Sequence, residues 1–182
     1  MRIMFLKHLR KAYGHLKTNK MKTFNILQIA TVLLTGLLAG LFYGYACSVN
    51  KALGSLPGRE YLSAFKAINE AIQNPVFFLS FMGSIIVLII TTVYSYKLHQ
   101  GAAFYLLLLA LIIYAVGVFG VTVLGNIPLN ERVAAFPVTT ASDDEIARLR
   151  EVFEKPWNAY HTVRTLAAVV SFCLTIISMI KK

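Results

Sequence analysis

The residues best suited to chemistry lie in one short stretch, Trp157-Asn158-Ala159-Tyr160-His161-Thr162-Val163-Arg164-Thr165. Offsets of four and three residues place Trp157, His161 and Arg164 on one face of a helix. His161 could remove a proton near neutral pH, and Arg164 could hold an oxyanion or enolate through its planar donor fork. The same types also suit a non-catalytic membrane helix, because Trp marks interfaces, Arg can snorkel and a lone His often satisfies one hydrogen bond.

Other polar side chains fall at the same end of the apolar segments described below. We take them, together with Trp157, as candidate substrate-binding residues: Tyr45, Asn69, Asn74, Asn126, Asn130, Asn158 and Tyr160. The opposite halves of the segments read as almost pure hydrocarbon. Since polar residues inside membrane segments mark functional sites, this asymmetry predicts a pocket that opens toward the polar end.

No metal centre and no bound cofactor are predicted. His99 lies at the opposite end of the bundle from His161, and no carboxylate lies within one helical turn of His161. A zinc or iron site would therefore have to recruit loop residues, namely Glu60, Glu70, Glu131 or Glu154. The sequence also lacks a Gly-rich phosphate loop and a Cys-x-x-Cys motif. No Asp, Glu or Lys lies in the middle of an apolar segment, which disfavours proton-coupled transport.

The apolar composition predicts that lipid is the solvent of these residues. Of the 182 residues, 57% are hydrophobic and only 14% are charged, whereas about a quarter are charged in soluble domains. We predict an all-α integral membrane protein with four transmembrane helices, at about residues 24–49, 75–96, 101–124 and 157–180, each near the ~20 residues that span a bilayer. The first segment exceeds the ~7–15 apolar residues of a signal peptide, so a retained anchor is expected.

The charge distribution predicts the topology. Basic residues dominate the N-terminal stretch, the second loop and the C-terminus, whereas all eight acidic residues lie in the other two loops. The positive-inside rule therefore places both termini in the cytoplasm, with the chain as a multi-pass protein of the inner (cytoplasmic) membrane. This topology and attraction to membrane lipids account for the net charge of +10, so no nucleic-acid partner is predicted.

Helices are also expected outside the spans. Residues 1–23 read as a basic amphipathic helix on the cytoplasmic surface, ahead of a transmembrane domain of residues 24–182. Two short outer loop helices are predicted, one between Leu56-Pro57-Gly58 and Asn74-Pro75 and one beginning at a capping box formed by Ser142 and Glu145. Pro156 is then expected at the first position of the fourth span, where its missing N–H costs nothing.

The first span carries a ladder of small residues, Gly36, Gly40 and Gly44. Such a ladder lets a second helix approach closely. Packing within the bundle is the simpler interpretation, and assembly into a homo-oligomer through this face is the other.

Six short motifs lie toward the polar ends of the apolar segments: Ser48-Val49, Leu56-Pro57, Ala67-Ile68-Asn69, Asn74-Pro75-Val76-Phe77, Gly125-Asn126-Ile127-Pro128-Leu129-Asn130 and Trp157 to Arg164-Thr165. Together they resemble the motifs of the anthrone oxygenase family. The resemblance covers nearly the whole chain from the first span onward and leaves out the N-terminal basic helix. It implies a small four-span membrane protein. Fungal members of this family oxidise anthrones to anthraquinones with molecular oxygen and without a conventional bound cofactor.

The resemblance also implies roles for individual residues. An anthrone has an acidic carbon beside its aromatic rings, so His161 would be the base and Arg164 the stabiliser of the enolate. Asn126 and Asn130 would orient either of them.

We therefore expect a membrane-embedded oxygenase-like or redox enzyme that acts on a lipophilic aromatic, anthrone- or quinone-like compound in an outward-facing pocket. Molecular oxygen would be the co-substrate. The alternative, from another functional class, is a non-catalytic binding or scaffold protein that packs through the face of Gly36, Gly40 and Gly44. A small transporter is the third reading.

Overall fold

A computed structural model describes residues 2–181, with side chains described for residues 14 and 18–181. This part of the chain is all-helical. Its α-helices, in chain order, are α1 (Arg2–Gly44), α2 (Asn50–Gly54), α3 (Gly58–Ile72), α4 (Pro75–Lys97), α5 (Gly101–Ile113), α6 (Ile127–Ala135) and α7 (Asp143–Ile180). π-Helical segments at Tyr45–Val49, Tyr114–Gly120 and Thr122–Asn126 connect α1 to α2 and α5 to α6.

Four continuous helical stretches are long and apolar enough to cross a membrane, which confirms the predicted four-span fold. They are Thr18–Gly54, Pro75–Lys97, Gly101–Ala135 and Asp143–Ile180, called spans one to four below. The ends of the described chain and the α4–α5 turn lie at one end of the bundle, called the termini side. Helix α3 and the α6–α7 connection lie at the other end, called the loop side.

Helix α1 runs without a break from Arg2 into span one. The backbone of the basic N-terminal stretch is thus helical, as expected. The apolar face predicted for it, formed by Leu6, Leu9, Tyr13 and Leu16, lies outside the described side chains, as do His8 and His15.

The four spans form a closed ring. Span one packs against spans two and four, and span three packs against the same two spans. The shared core is apolar and fully buried at Leu38, Leu88, Leu107 and Tyr114, one or more from each of the first three spans. Each span also exposes several Leu, Ile or Val side chains on its outer face, where lipid acyl chains would cover them.

The expectation that the termini-side half holds almost only hydrocarbon is wrong. Its interior contains a set of buried polar residues, here called the hydroxyl seam: Gln28, Thr31, Thr35, Thr91, Thr175 and Ser178. The Oγ1 atoms of Thr31 and Thr91 lie 2.9 Å apart across two spans, and Gln28 Nε2 donates to the Ser178 carbonyl at 3.3 Å. Short hydroxyl residues also bond to their own helix backbone, so they fit apolar segments without breaking the pattern.

Helix α3 covers part of the loop side of the bundle, where the sequence predicts an outer loop helix. Its apolar side joins a buried cluster here called the roof cluster, formed by Leu53, Tyr61, Leu62, Phe65, Val133, Ile146, Phe153 and Trp157. Arg59 at its start donates to the Ala141 carbonyl and pairs with Asp143, both at 2.8 Å. Burial raises the pKa of the Tyr61 phenol well above its ordinary value, so this ring stays neutral in the cluster.

Helix α7 departs from the prediction at one point. The capping box of Ser142 and Glu145 starts it as expected, but Pro156 lies inside the helix rather than at the start of span four. The second outer helix and the fourth span are therefore one helix of 38 residues. Proline normally disfavours a helix interior; here Phe153 and Trp157, on either side of it, are both buried in the roof cluster and hold the helix in place.

Candidate functional site

Trp157, His161 and Arg164 lie together on the inward face of α7, as their spacing predicts. The imidazole of His161 stacks on the indole of Trp157, with ring centroids 5.1 Å apart and planes 12° from parallel. One turn deeper, Arg164 Nε donates to His161 Nδ1 at 3.1 Å. The three side chains thus form one contiguous array.

The hydrogen bonds of His161 fix its tautomer. A guanidinium can only donate, so Nδ1 must be the acceptor in the bond from Arg164. Nε2 lies 3.2 Å from the carbonyl oxygen of Phe42, which can only accept, so Nε2 carries the proton. The imidazole is therefore neutral, and its basic lone pair faces Arg164. His161 can take up a proton at Nδ1 only when Arg164 turns away from it.

Arg164 is a buried cation, 9% exposed. Its Cζ lies 4.4 Å from the ring centroid of Phe42 and 5.3 Å from that of Trp157, and Nη1 reaches Thr122 Oγ1 only at 3.5 Å. In the described part of the chain, the ion pairs are Arg59 with Asp143 and Arg150 with Glu154, so no carboxylate neutralises Arg164. Aromatic faces attract a cation, but a buried charge without a counter-ion is costly.

Asn126 and Asn130 hold Trp157 from both ends. Asn126 Nδ2 donates to the Trp157 carbonyl at 3.3 Å, and the indole N–H of Trp157 donates to Asn130 Oδ1 at 2.7 Å. The Asn-x-Pro-x-Asn motif therefore works as a clamp on Trp157, and through the stacked rings it positions His161. The resemblance had suggested that these amides orient His161 or Arg164 directly.

Departures from α-helical geometry concentrate around this array. The segment Tyr45–Val49 lies in span one, and Thr122–Asn126 in span three supplies both Thr122 and Asn126. π-Helical turns shift the register of the following side chains and occur frequently at functional sites. Here they bring Tyr45 to within 5.1 Å of the His161 ring, measured between ring centroids.

A cavity of about 580 Å³ lies beside the array, beneath α3. This volume falls within the ~300–1,000 Å³ of typical small-molecule sites. Six of the ten residues proposed from the sequence line it: Tyr45, Asn69, Asn130, Trp157, His161 and Arg164. Most of the remaining wall is aromatic or aliphatic, so the cavity suits a flat apolar molecule.

The other four proposed residues lie elsewhere. Asn74 caps α4 by accepting from the backbone N–H groups of Val76 and Phe77. Asn126 is buried behind the wall. Asn158 lies on α7 beside the clamped Trp157 without lining the cavity, and Tyr160 packs its ring against Gly125.

Several lining residues were not proposed from the sequence as catalytic or substrate-binding residues. They are Phe42, Phe65, Phe77, Phe81, Thr122 and Glu131. Phe77 and Phe81 stack, with centroids 5.5 Å apart and planes 13° from parallel, and form a flat wall. Phenylalanine in a membrane span carries no signal of its own, but the i, i+4 pair directly after the Asn74-Pro75 cap would have been the available hint.

The structure also bears on the candidate metal ligands and on the ladder of Gly36, Gly40 and Gly44. Among the side chains of residues 18–181, no three of His, Cys, Asp or Glu cluster in a way that could hold a metal ion. Of the glycine ladder, Gly36 packs against the Phe172 ring of span four, whereas Gly40 and Gly44 face open space. Part of that face is thus used within the bundle.

Comparison with protein families gives one match. The family model described as anthrone oxygenase matches residues 77–174, more than half of the chain. The matched region holds span two, span three, the Asn126 to Asn130 clamp and the array on α7. Searches of curated proteins and of solved structures found no match.

Proposed function

The chain belongs to the anthrone oxygenase family, and we propose that it is a membrane-embedded oxygenase-like enzyme for a lipophilic aromatic compound. The substrate, of anthrone or quinone type, would lie in the cavity beneath α3. Its flat rings would pack against Phe77, Phe81 and Trp157, and its oxygen would point to Arg164. Molecular oxygen would be the co-substrate.

The observation that carries this proposal is the unneutralised guanidinium in an aromatic cavity. Arg164 lacks a carboxylate partner among the described residues and lines the cavity. A ligand that becomes anionic would supply the missing counter-charge, and in a site shielded from water this attraction is strong. An enzyme gains rate from contacts that strengthen as charge develops. Arg164 is placed to favour an enolate over the neutral ketone.

The reaction can be balanced with these residues. As Arg164 moves from His161 Nδ1 to the substrate oxygen, the freed lone pair takes a proton from the acidic ring carbon. The C–H electron pair becomes the enolate, which Arg164 holds. Stepwise electron transfer to O₂ and recombination form a C–O bond, and the peroxide anion takes the proton back from His161. Loss of water from the hydroperoxide, with the second hydrogen of that carbon, gives the new carbonyl.

In this scheme one O₂ is consumed for each quinone and each water formed. The substrate supplies all four electrons, two for each oxygen atom. The protein supplies binding, a proton acceptor and charge stabilisation, as a general base and an oxyanion site do in other enzymes.

The test is oxygen uptake by purified protein in nanodiscs supplied with anthrone. Arg164→Gln should lower turnover by ~10²-fold or more, the size of loss seen when an oxyanion donor is removed. Arg148→Gln is the matched control, because Arg148 lies on the same helix, is exposed and donates to the Asp144 carbonyl, away from the cavity. Uptake that is equal in Arg164→Gln and the wild type would reject the proposal, provided that both unfold at the same temperature.

The proposal extends to orientation. We place the loop side outside the cytoplasm and the termini inside, in the inner membrane, because the eight acidic residues lie on the loop side and the basic excess lies on the other. A cysteine introduced at Thr140 should react with a membrane-impermeant maleimide in intact cells. Labelling only after lysis would show that the loop side faces the cytoplasm, which is the opposite orientation.

The scaffold alternative keeps one supporting observation, the open space beside Gly40 and Gly44. A second copy docked there would be displaced by Gly40→Leu. If that change dissociates an oligomer and oxygen uptake is absent in the wild type, the scaffold function is favoured.

A further inference from the structure

We propose that the cavity exchanges its ligand with the lipid bilayer, through an opening beside the first turns of α4, and not with the aqueous phase. The inference rests on the proposed function only in taking the ligand to be lipophilic. The opening itself follows from which lining residues reach the outside of the bundle.

Three apolar residues near the start of α4 line the cavity and are also more than a third exposed. Phe78 is 46% exposed, Leu41 is 41% exposed and Ile127 is 39% exposed, and all three line the cavity. They come from spans two, one and three, at the loop-side ends. A residue that faces both inside and outside marks an edge of an opening, and these edges are hydrocarbon.

The backbone explains why the bundle is open at this point. Helix α4 makes its close backbone contacts with α1 and α5 rather than with the loop-side end of span three. Across the resulting wedge the helices touch through side chains. The Phe81 ring stacks on Phe119, with centroids 5.7 Å apart, and the Tyr114 hydroxyl donates to the Phe81 carbonyl at 2.7 Å.

The loop-side face is packed over part of its area by contrast. The exposed lining residues there, Ala71, Gln73, Glu131 and Ala134, lie at the end of α3 and in α6. The roof cluster buries Leu62, Phe65 and Phe153 almost completely between α3, α6 and α7. Lys66 also ties α3 to the end of α6 by donating to the Ala134 carbonyl at 2.8 Å. A lipophilic ligand approaching from water would have to pass the polar side chains of Gln73 and Glu131 or separate packed aromatic rings, whereas one approaching from lipid passes an edge of hydrocarbon.

The polar wall residues define the ligand further. Asn69, Gln73 and Glu131 lie at the loop-side end of the cavity, whereas Arg164 lies seven residues, or ~10 Å of helix, deeper than Trp157. The cavity is therefore polar at both ends and aromatic between them. It fits an amphiphilic flat aromatic that carries oxygen atoms at opposite ends.

The chain offers a direct probe of the opening, because Trp157 is its only tryptophan and it lines the cavity. Collisional quenchers confined to one phase report which phase reaches the indole. A phosphatidylcholine with brominated acyl chains samples the bilayer, and iodide samples the water. Neither measurement requires turnover. The quenching data therefore test the lipid-facing opening, whereas the oxygen-uptake assay tests the oxygenase proposal, and either can fail alone.

In wild-type protein the brominated lipid should quench Trp157 and iodide should not. Phe78→Ala widens the opening and should increase quenching by the lipid about twofold. Leu79→Ala is the matched control, since Leu79 is the next residue, is 63% exposed and does not line the cavity, and it should leave quenching unchanged. Quenching by iodide, alone or together with the lipid, would overturn the proposal. So would lipid quenching that responds equally to both variants, or none from either phase.

Discussion

The two halves of the bundle bury polar groups in opposite ways. On the termini side, the hydroxyl seam pairs small neutral groups with one another, as in the 2.9 Å contact of Thr31 with Thr91. On the loop side, Arg164 carries a full charge that no carboxylate in the described chain neutralises, next to a cavity of about 580 Å³. The termini-side half buries neutral groups, of which Gln28 Oε1 and Ser95 Oγ lack a partner, whereas the loop-side half buries a charged donor beside a cavity.

This difference separates structural from functional polarity. Hydrogen bonds between spans contribute ~0.6 kcal/mol on average, so a neutral seam adds packing specificity without needing a partner. A buried guanidinium is far more costly to leave unpaired. It persists in a stable fold when the site gains from it, and here it lines the cavity in which we propose that a substrate becomes an anion.

Among substitutions that test this difference between the two halves, the largest loss of turnover is expected at His161. His161→Asn keeps an acceptor in the place of Nδ1, so Arg164 should stay positioned, but the variant has no base. Turnover in the oxygen-uptake assay should fall by ~10²-fold or more, the usual contribution of a general base. Near-normal turnover in this variant would show that His161 only positions Arg164, and the proton would need another acceptor.

A smaller effect is expected at the clamp on Trp157. Asn130→Ala leaves the indole N–H without its acceptor, and an unsatisfied buried donor costs ~1–3 kcal/mol. We expect kcat/KM to fall ~10-fold, since ~1.4 kcal/mol corresponds to a factor of ten, with a shift in Trp157 emission. Asn130→Asp retains an acceptor oxygen and should stay close to the wild type. Equal kcat/KM values for Asn130→Ala and Asn130→Asp would show that the hydrogen bond from Trp157 to Asn130 does not affect catalysis.

The smallest effect is expected in the hydroxyl seam. Thr31→Val removes the hydroxyl at nearly constant shape and should lower the free energy of unfolding by ~0.6 kcal/mol. Thr91→Val should behave similarly, and the double variant should lose less than the sum because one bond is shared. Oxygen uptake should stay within twofold of the wild type. A tenfold loss of oxygen uptake would show that the hydroxyl seam contributes to function, which contradicts a purely structural role for it.

The spans, their order and the array on α7 could be predicted because each depends on local signals. Long apolar blocks leave little choice of structure in a bilayer, and the offsets from Trp157 to Arg164 place the side chains on any helix. The capping box of Ser142 and Glu145 is similarly local. Pro156 misled the prediction because its local preference for a helix start was overridden by burial of Phe153 and Trp157 around it.

Contacts between different spans could not be predicted from the sequence. The sequence does not predict that Asn126 and Asn130 both bind Trp157, because this depends on how span three packs against span four. The bond from Arg164 to His161 Nδ1 is equally hidden, because spacing brings the side chains together without fixing which atoms meet. The hydroxyl seam was missed because Thr and Ser are ordinary in membrane helices and their pairing across spans appears only in three dimensions.

The most direct test of the central claim is the absorption spectrum of anthrone bound to the protein without oxygen. If Arg164 favours the anion, wild-type protein in anaerobic nanodiscs should convert bound anthrone to its enolate, visible as a red-shifted band. Arg164→Gln should bind anthrone in the neutral form. An enolate band of equal strength in both proteins, or its absence from the wild type, would contradict the account.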